Sequence, residues 1–242
     1  MSISKIIKGR QNKELTVKSK ARDRDKLRQY PDWIAYWKEK GLSKNKDQKI
    51  INGYEGKLSY LTDKAYKLLI DSIKKHLSLS RDDFLLDVGC GGGILTKSLK
   101  KFVNRIIGLD AAKEILQHMP NNIITYVAKA DNMPFSDKML DKILCHSIFQ
   151  YFPSLHYASL VTKELERVCK IGGLIYIVDL PNLEKKDEYE KHKKKEKHNL
   201  KRLFYTKDFF ADIWPHAKIF DNRLRGYGNA RYRFNVLVER GL

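Results

Sequence analysis

Between Asp83 and Val178, short apolar runs alternate with stretches whose apolar residues recur at helical spacing. That alternation predicts a parallel sheet with crossover helices. Phe84 to Val88 reads as the first strand, ended by glycines. Ile94 to Phe102 follows as a helix, with Ile94, Leu95, Leu99 and Phe102 near one face. Asn104 to Leu109 is the second strand, Ala111 to His118 a helix stopped by Pro120, and Ile123 to Ala128 the third strand. Asp141 to His146 is the fourth strand. Tyr157 to Val168 is the next helix, with Leu160, Leu165 and Val168 on its buried side. Gly172-Gly173 is expected to break that helix and launch a fifth strand, Leu174 to Val178.

Outside this block the pattern changes. Residues 182–202 are highly charged and lack the apolar period of a core helix, so they read as a surface segment and candidate lid. Lys207 to Trp214 reads as a helix, and Lys218 to Asn222 and Tyr232 to Glu239 as two more strands. The last alternates Tyr232, Phe234, Val236 and Val238 against Arg233, Asn235, Leu237 and Glu239, a half-buried pattern. Upstream, an aromatic helix begins at Tyr30-Pro31-Asp32-Trp33, with Pro31 near its first position. Leu61 to Leu77 is a longer amphipathic helix, with Thr62 or Asp63 able to cap it. Residues 1–60 are thus expected to be a basic arm and helical cap, and 61–242 the main domain.

Composition narrows the class. A 42% hydrophobic share fits a globular core. Cys90, Cys145 and Cys169 are widely spaced, which supports neither a disulfide framework nor a zinc site. No apolar run suits a secretion signal or a membrane span, so a cytoplasmic protein is expected. The formal charge of +19 raises an RNA partner. Residues 1–50 carry 15 basic against 6 acidic residues, whereas residues 51–180 carry 17 against 14. The central domain is therefore nearly balanced, and a lysine-rich solvated surface or an anionic small-molecule acceptor explains the excess as readily.

The candidate chemistry starts at Leu85-Leu86-Asp87-Val88-Gly89-Cys90-Gly91-Gly92-Gly93. A strand that ends in such a turn and opens a helix directs backbone N–H groups at a ligand. The dinucleotide pattern GxGxxG would need a third glycine at position 94, which is Ile94. Asp110, at the end of the second strand, can accept from both ribose hydroxyls of an adenosine, or cap the following helix. Asp131, in Asp131-Asn132-Met133-Pro134-Phe135, can accept from an adenine amino group, or form an Asx turn before Pro134.

Together these elements resemble the class I S-adenosylmethionine-dependent methyltransferases. The likeness rests on the glycine turn, Gly108-Leu109-Asp110, Ala130-Asp131-Asn132-Met133-Pro134-Phe135, Asp141-Lys142-Ile143-Leu144-Cys145-His146-Ser147 and Gly172-Gly173, in family order from about residue 84 to 180. It implies a Rossmann-like seven-stranded, mostly parallel α/β sheet with helices on both faces and an antiparallel strand 7 between strands 5 and 6. It also implies S-adenosylmethionine as methyl donor. Asp87, Gly89, Cys90 and Gly91 would then lie by the methionine part, Asp110 by the ribose, Asp131 and Asn132 by the adenine, and His146 and Ser147 by the reactive end. Gly92-Gly93 departs from the threonine or serine usual at that place.

On the acceptor side, His146 at the end of the fourth strand is either a general base or a wall of the cofactor pocket. Gln150 and Tyr151 are candidates to bind substrate, and Tyr54 to close over the cofactor. Ile148-Phe149-Gln150-Tyr151-Phe152, Val178-Asp179-Leu180-Pro181 and Tyr232 to Leu237 are similar to bacterial methyltransferases of surface polysaccharides. The expected activity is methyl transfer to oxygen or nitrogen of a polar small molecule, a sugar or polysaccharide precursor among them. An RNA methyltransferase using the basic arm is the rival. A binding protein that kept the fold without turnover is the third reading.

Overall fold

The computed structural model describes residues 29–45, 47–193 and 198–241. Its sheet consists of β1 (Phe84–Val88), β2 (Arg105–Asp110), β3 (Ile124–Val127), β4 (Leu140–His146), β5 (Cys169–Pro181), β6 (Lys218–Asp221) and β7 (Arg233–Glu239). The strands lie in the order β3-β2-β1-β4-β5-β7-β6, and β7 runs antiparallel to both neighbours. The other pairings are parallel, so the sheet is the one expected from the alternation and the family likeness. Strand order reverses between β1 and β4, and ligands of open α/β sheets gather at the carboxyl ends of the strands flanking such a point.

The helices are α1 (Trp33–Gly41), α2 (Gln48–Ile51), α3 (Asp63–His76), α4 (Ile94–Leu99), α5 (Leu155–Val168), α6 (Lys186–His192) and α7 (Lys207–Ile213). Each central strand buries both faces, as parallel strands with crossover helices do. On one face Val88, Ile143, Cys145, Ile175 and Ile177 pack with Val161, Leu165 and Val168 of α5 and Phe210 of α7. On the other, Leu85, Ile106, Leu144, Tyr176 and Val178 meet Leu69, Ile70 and Ile73 of α3 and Leu95 and Leu99 of α4. Burying a Leu or Ile side chain in this way contributes roughly 1.5–3 kcal/mol.

Several expectations need correction. Asp32 caps α1, its side chain accepting from Ala35 N–H, so Pro31 lies before the helix instead of near its first position. Thr62, one of the two caps expected for α3, does cap that helix in the same way. Gly172-Gly173 does not break α5, because the helix ends at Val168 and β5 already begins at Cys169. Gly173 instead permits close approach at the register shift with β4: a Cβ there would sit 2.8 Å from the Asp141 carbonyl oxygen. Leu160 is exposed, since the packed face of α5 runs through Ala158, Val161, Thr162, Leu165 and Val168. The stretch after β2 forms a 3-10 helix, Lys113–His118, rather than an α-helix. Finally, Arg233 and Asn235 are buried, although the alternation along β7 assigns them to solvent.

The basic stretch before residue 29 and residues 194–197 of the expected lid lie outside the described residues. The described remainder of that lid holds α6, anchored by buried Tyr189 against Phe204 and Tyr232. The cap helix α1 docks on the 3-10 helix after β2. Gln117 and His118 both reach the Gly41 carbonyl at its carboxyl end, and Lys38 pairs with Glu114 at 3.3 Å. Among the described residues no helix is long and apolar enough to cross a membrane.

Candidate active site

A cavity of about 490 Å³ opens over the carboxyl ends of β1, β2 and β4, a size that suits one drug-sized ligand or a cofactor with a small partner. The glycine turn forms its floor. Gly89, Gly91 and Gly93 all adopt positive φ, a region open to glycine at little cost. The turn is held by Gly89 and Cys90 N–H groups on the Leu109 carbonyl, and by Gly92 N–H on Asn52 Oδ1 of the cap. A Cβ on Gly89 would meet Ile148 Cγ2 at 2.1 Å, so that position has room only for glycine.

Two carboxylates border this floor, Asp87 buried and Asp110 half-buried. Asp87 accepts from Thr96 Oγ1 at 2.6 Å, and burial raises its pKa to about 7 against that bond, helped by the nearby charge of Asp110. Asp110 is also raised by burial, while its bonds from Gly91 N–H at 3.0 Å and Ala112 N–H at 2.9 Å pull the other way. Desolvated carboxylates of this kind favour a cationic or donor-rich ligand. The ammonium, sulfonium and ribose hydroxyls of S-adenosylmethionine supply that chemistry, and the glycine floor leaves backbone room for its chain.

The third wall is Ala128, Lys129 and Ala130. Asp131 and Asn132, expected at the adenine, do not line the cavity. Asn132 is exposed, and Asp131 Oδ1 accepts from the hydroxyl of Tyr157 at 2.7 Å. It is Tyr157 that lines the cavity. The loop is pinned from behind by α5, where Arg167 donates to the Met133 and Phe135 carbonyls and Glu164 accepts from Met133 N–H.

At the end of β4 the structure gathers the remaining expected residues. His146, Ser147, Gln150, Tyr151 and Tyr54 all line the same cavity. His146 is buried, which lowers its pKa, and its Nδ1 lies 3.4 Å from the Tyr54 hydroxyl. Burial raises the phenols of Tyr54 and Tyr151, so both keep their protons. Ser147 and Asp179 both adopt positive φ, a strained backbone for non-glycine residues. They are tied together by a hydrogen bond from Ser147 Oγ to Asp179 Oδ2 at 2.8 Å.

Asp179 also accepts from the Tyr227 hydroxyl at 2.9 Å, and its backbone N–H donates to Asn235 Oδ1. Tyr227, Asn229 and Arg233 line the cavity beside it. Sequence reasoning gave these four residues no role. Asp179 stands at the carboxyl end of β5, a place where strand-end polar residues merit attention in any open α/β sheet. Arg233 and Asn235 were hidden by an alternation rule that assumes the off-face is wet.

The roof comes from two distant segments. Trp33 and Trp37 of α1 pack on Tyr151 with ring centroids 4.6 and 5.4 Å away. The Trp33 indole donates to the Lys201 carbonyl at 2.9 Å. Tyr30 and Asn199 exchange two hydrogen bonds, backbone N–H to Oδ1 at 2.7 Å and Nδ2 to the backbone carbonyl at 3.0 Å. Leu200, Lys201 and Arg202 complete the cover.

Comparison with known proteins agrees with this geometry. Residues 86–177 match the family described as a methyltransferase domain. An uncharacterized protein of Methanocaldococcus jannaschii is 31% identical over 141 residues, 55% of this chain and 52% of that protein. The chain spans about half the length, or less, of the curated relatives it matches. A methyltransferase of Methanosarcina mazei superposes with a TM-score of 0.58 at 19% identity, covering 69% of this chain and 97% of the other. A phosphoethanolamine N-methyltransferase of Haemonchus contortus gives 0.61 at 13% identity, covering 85% and 47%. At such identities the likeness concerns the fold. Domain family, sheet order and the carboxylate-flanked glycine floor converge: the chain carries a class I methyltransferase domain whose cofactor is S-adenosylmethionine.

Proposed function

We propose that the chain transfers a methyl group from S-adenosylmethionine to an oxygen or nitrogen of a polar small molecule, a sugar or polysaccharide precursor being one such acceptor. The observation that carries this reading is the single roofed chamber joining Asp87 and Asp110 to His146, Tyr54 and Gln150. In it, Gly89, Cys90 and Gly91 support the methionine part, Asp110 takes the ribose hydroxyls, and Ala128 to Ala130 flank the adenine. Asp131 acts there by orienting Tyr157, with Asn132 outside. When bound, the cofactor supplies an electrophilic methyl group on a sulfonium.

The protein's own task is alignment and proton handling. His146 is neutral near pH 7 because burial disfavours its charged form. With Nδ1–H directed at the Tyr54 oxygen, Nε2 keeps its lone pair and takes the proton of an attacking hydroxyl. An amine acceptor needs only the alignment. The roof of Trp33, Trp37 and Arg202 favours a small acceptor over RNA. A cytoplasmic workplace belongs to the same reading, since the three cysteines are buried and free.

The test is incubation of the full chain with methyl-labelled S-adenosylmethionine, a cell-extract metabolite pool and total RNA. Label is expected in the metabolite fraction, and should fall in the His146→Ala variant. Label confined to RNA would overturn the proposal.

A further inference from the structure

The acceptor half of the chamber contains a polar network whose hydrogen-bond directions are fixed, and which ends in groups with nothing to bind. Asp179, 1% exposed, is the anchor. Its Oδ2 can only accept, so Ser147 Oγ and Tyr227 Oη both spend their protons on it. Ser147 Oγ therefore receives the hydrogen bond from Gln150 at 2.7 Å, and the Ser147 carbonyl receives another from the same nitrogen at 3.0 Å. That fixes the Gln150 amide: its nitrogen faces Ser147, and Oε1 is left buried without a partner. Asn229 follows the same logic. Its Nδ2 donates to Tyr227 Oη at 3.3 Å, and its buried Oδ1 has no partner.

Arg233 is the complementary case. The side chain is 3% exposed, yet its five N–H donors make one long hydrogen bond, Nη1 to the Asp179 carbonyl at 3.5 Å. Its Nε lies 3.8 Å from Asp179 Oδ1, an ion pair without a hydrogen bond, and both atoms are unsatisfied. Buried guanidinium groups are normally satisfied by forked contacts with an oxyanion, whereas that of Arg233 otherwise meets, among the described residues, only the Tyr189 ring, 5.7 Å from its centroid. Asp32, the acid on the roof side of this half, is engaged in capping α1. Lys201 and Arg202 add further positive charge to the rim.

We propose that the methyl acceptor is a small hydroxylated or aminated acid, whose carboxylate or phosphate seats on Arg233 while its O–H or N–H groups donate to Gln150 Oε1 and Asn229 Oδ1. This rests on the methyltransferase reading and names the substrate class that would fill its second half. Arg233 is in these terms a specificity-determining residue, with Asp179 and Ser147 positioning the groups around it.

The experiment is calorimetric titration of the S-adenosylhomocysteine-loaded full chain with three probes: glycerol 3-phosphate, glycerate and glycerol. Loading with S-adenosylhomocysteine is measured first, so a failure of the cofactor reading is seen separately. At least one anion is expected to bind about tenfold or more tighter than glycerol, the advantage of a charge-assisted contact. Whichever anion is preferred identifies phosphate or carboxylate as the source. Arg233→Gln should abolish the preference with S-adenosylhomocysteine affinity retained. Gln150→Glu, which leaves Arg233 and its Asp179 neighbour intact, should weaken the anion and spare glycerol. Equal binding of all three probes to the wild type, or an anion preference that survives both substitutions, would overturn the proposal.

Discussion

The two halves of the chamber are built on opposite principles. On the cofactor side most polar groups are answered from within the glycine turn and the strands around it: Asp87 by Thr96, Asp110 by Ala112 and Gly91, with Asn52 of the cap as the distant exception. On the acceptor side the partners are remote. Tyr54 meets His146 across 92 positions, Asp179 meets Tyr227 across 48, and Asn235 reaches Asp179 across 56. The first half is a local motif that closes on itself and presents a standard surface. The second is assembled from four separate segments, at Tyr54, His146 to Gln150, Asp179 and Tyr227 to Asn235, and keeps unsatisfied atoms, as a site does when its last partner is the ligand.

The sharpest way to break this contrast is His146→Ala. With a hydroxyl acceptor, kcat should fall about 10²–10⁴-fold, whereas S-adenosylhomocysteine affinity should change little. Comparable losses in both would mean that His146 belongs to the cofactor half. Asp110→Ala should do the reverse and weaken S-adenosylhomocysteine by about 10²–10³-fold, because two charge-assisted contacts to ribose are lost. Affinity unchanged by calorimetry would remove Asp110 from the ribose.

Asp179→Asn probes the remote network through stability. It leaves Arg233 buried without its counter-charge, and denaturant melting should show a loss of about 3–5 kcal/mol. A loss below about 1 kcal/mol would show that the pair is not a structural unit.

A smaller effect concerns pH. Asp87, raised to about 7 by burial, faces Asp110 in addition to the Thr96 hydroxyl, and the thiols of Cys90 and Cys145 feel its charge. A cationic ligand favours its ionised form, so binding should release a proton near neutrality. Affinity should then rise with pH up to about 7 and level above it, by at most about tenfold per pH unit. The sign for stability is opposite in the free protein. Because the folded pKa is raised, the contribution of Asp87 is greatest at acid pH and is lost as pH climbs towards about 7. Titrations in buffers of different ionisation heat check the proton release, which Asp87→Asn should abolish. The smallest effect is assigned to Asp131→Ala, a few-fold loss of cofactor affinity through Tyr157. A hundredfold loss would restore a direct adenine contact.

How far the chain could be read in advance follows the same division. The strands from Phe84 to Val178 and the pair of acids at 87 and 110 are legible because a parallel sheet repeats a local rule. The order of the seven strands was accessible only through the family likeness, since no local pattern states that β7 inserts between β5 and β6. Arg233 and Asn235 escaped because period-two alternation identifies a face without saying what covers it. Asp131 illustrates the converse limit. A carboxylate at a favourable position says nothing about whether Tyr157 has already claimed it.

The roof over the chamber has a kinetic meaning. The paired hydrogen bonds between Tyr30 and Asn199 lie open to water, so they contribute on the order of 1 kcal/mol each at most. The Trp33 indole bond to Lys201 and the Arg202 guanidinium over the Trp33 ring join the same two leaves, so the latch of this door is made of several weak contacts. Trp33 stands on one leaf and Arg202 on the other, and both face the interior. A molecule filling the chamber touches the two leaves at once and shifts their equilibrium towards closure. An occupant therefore adds its own contacts to the latch of the door it sits behind.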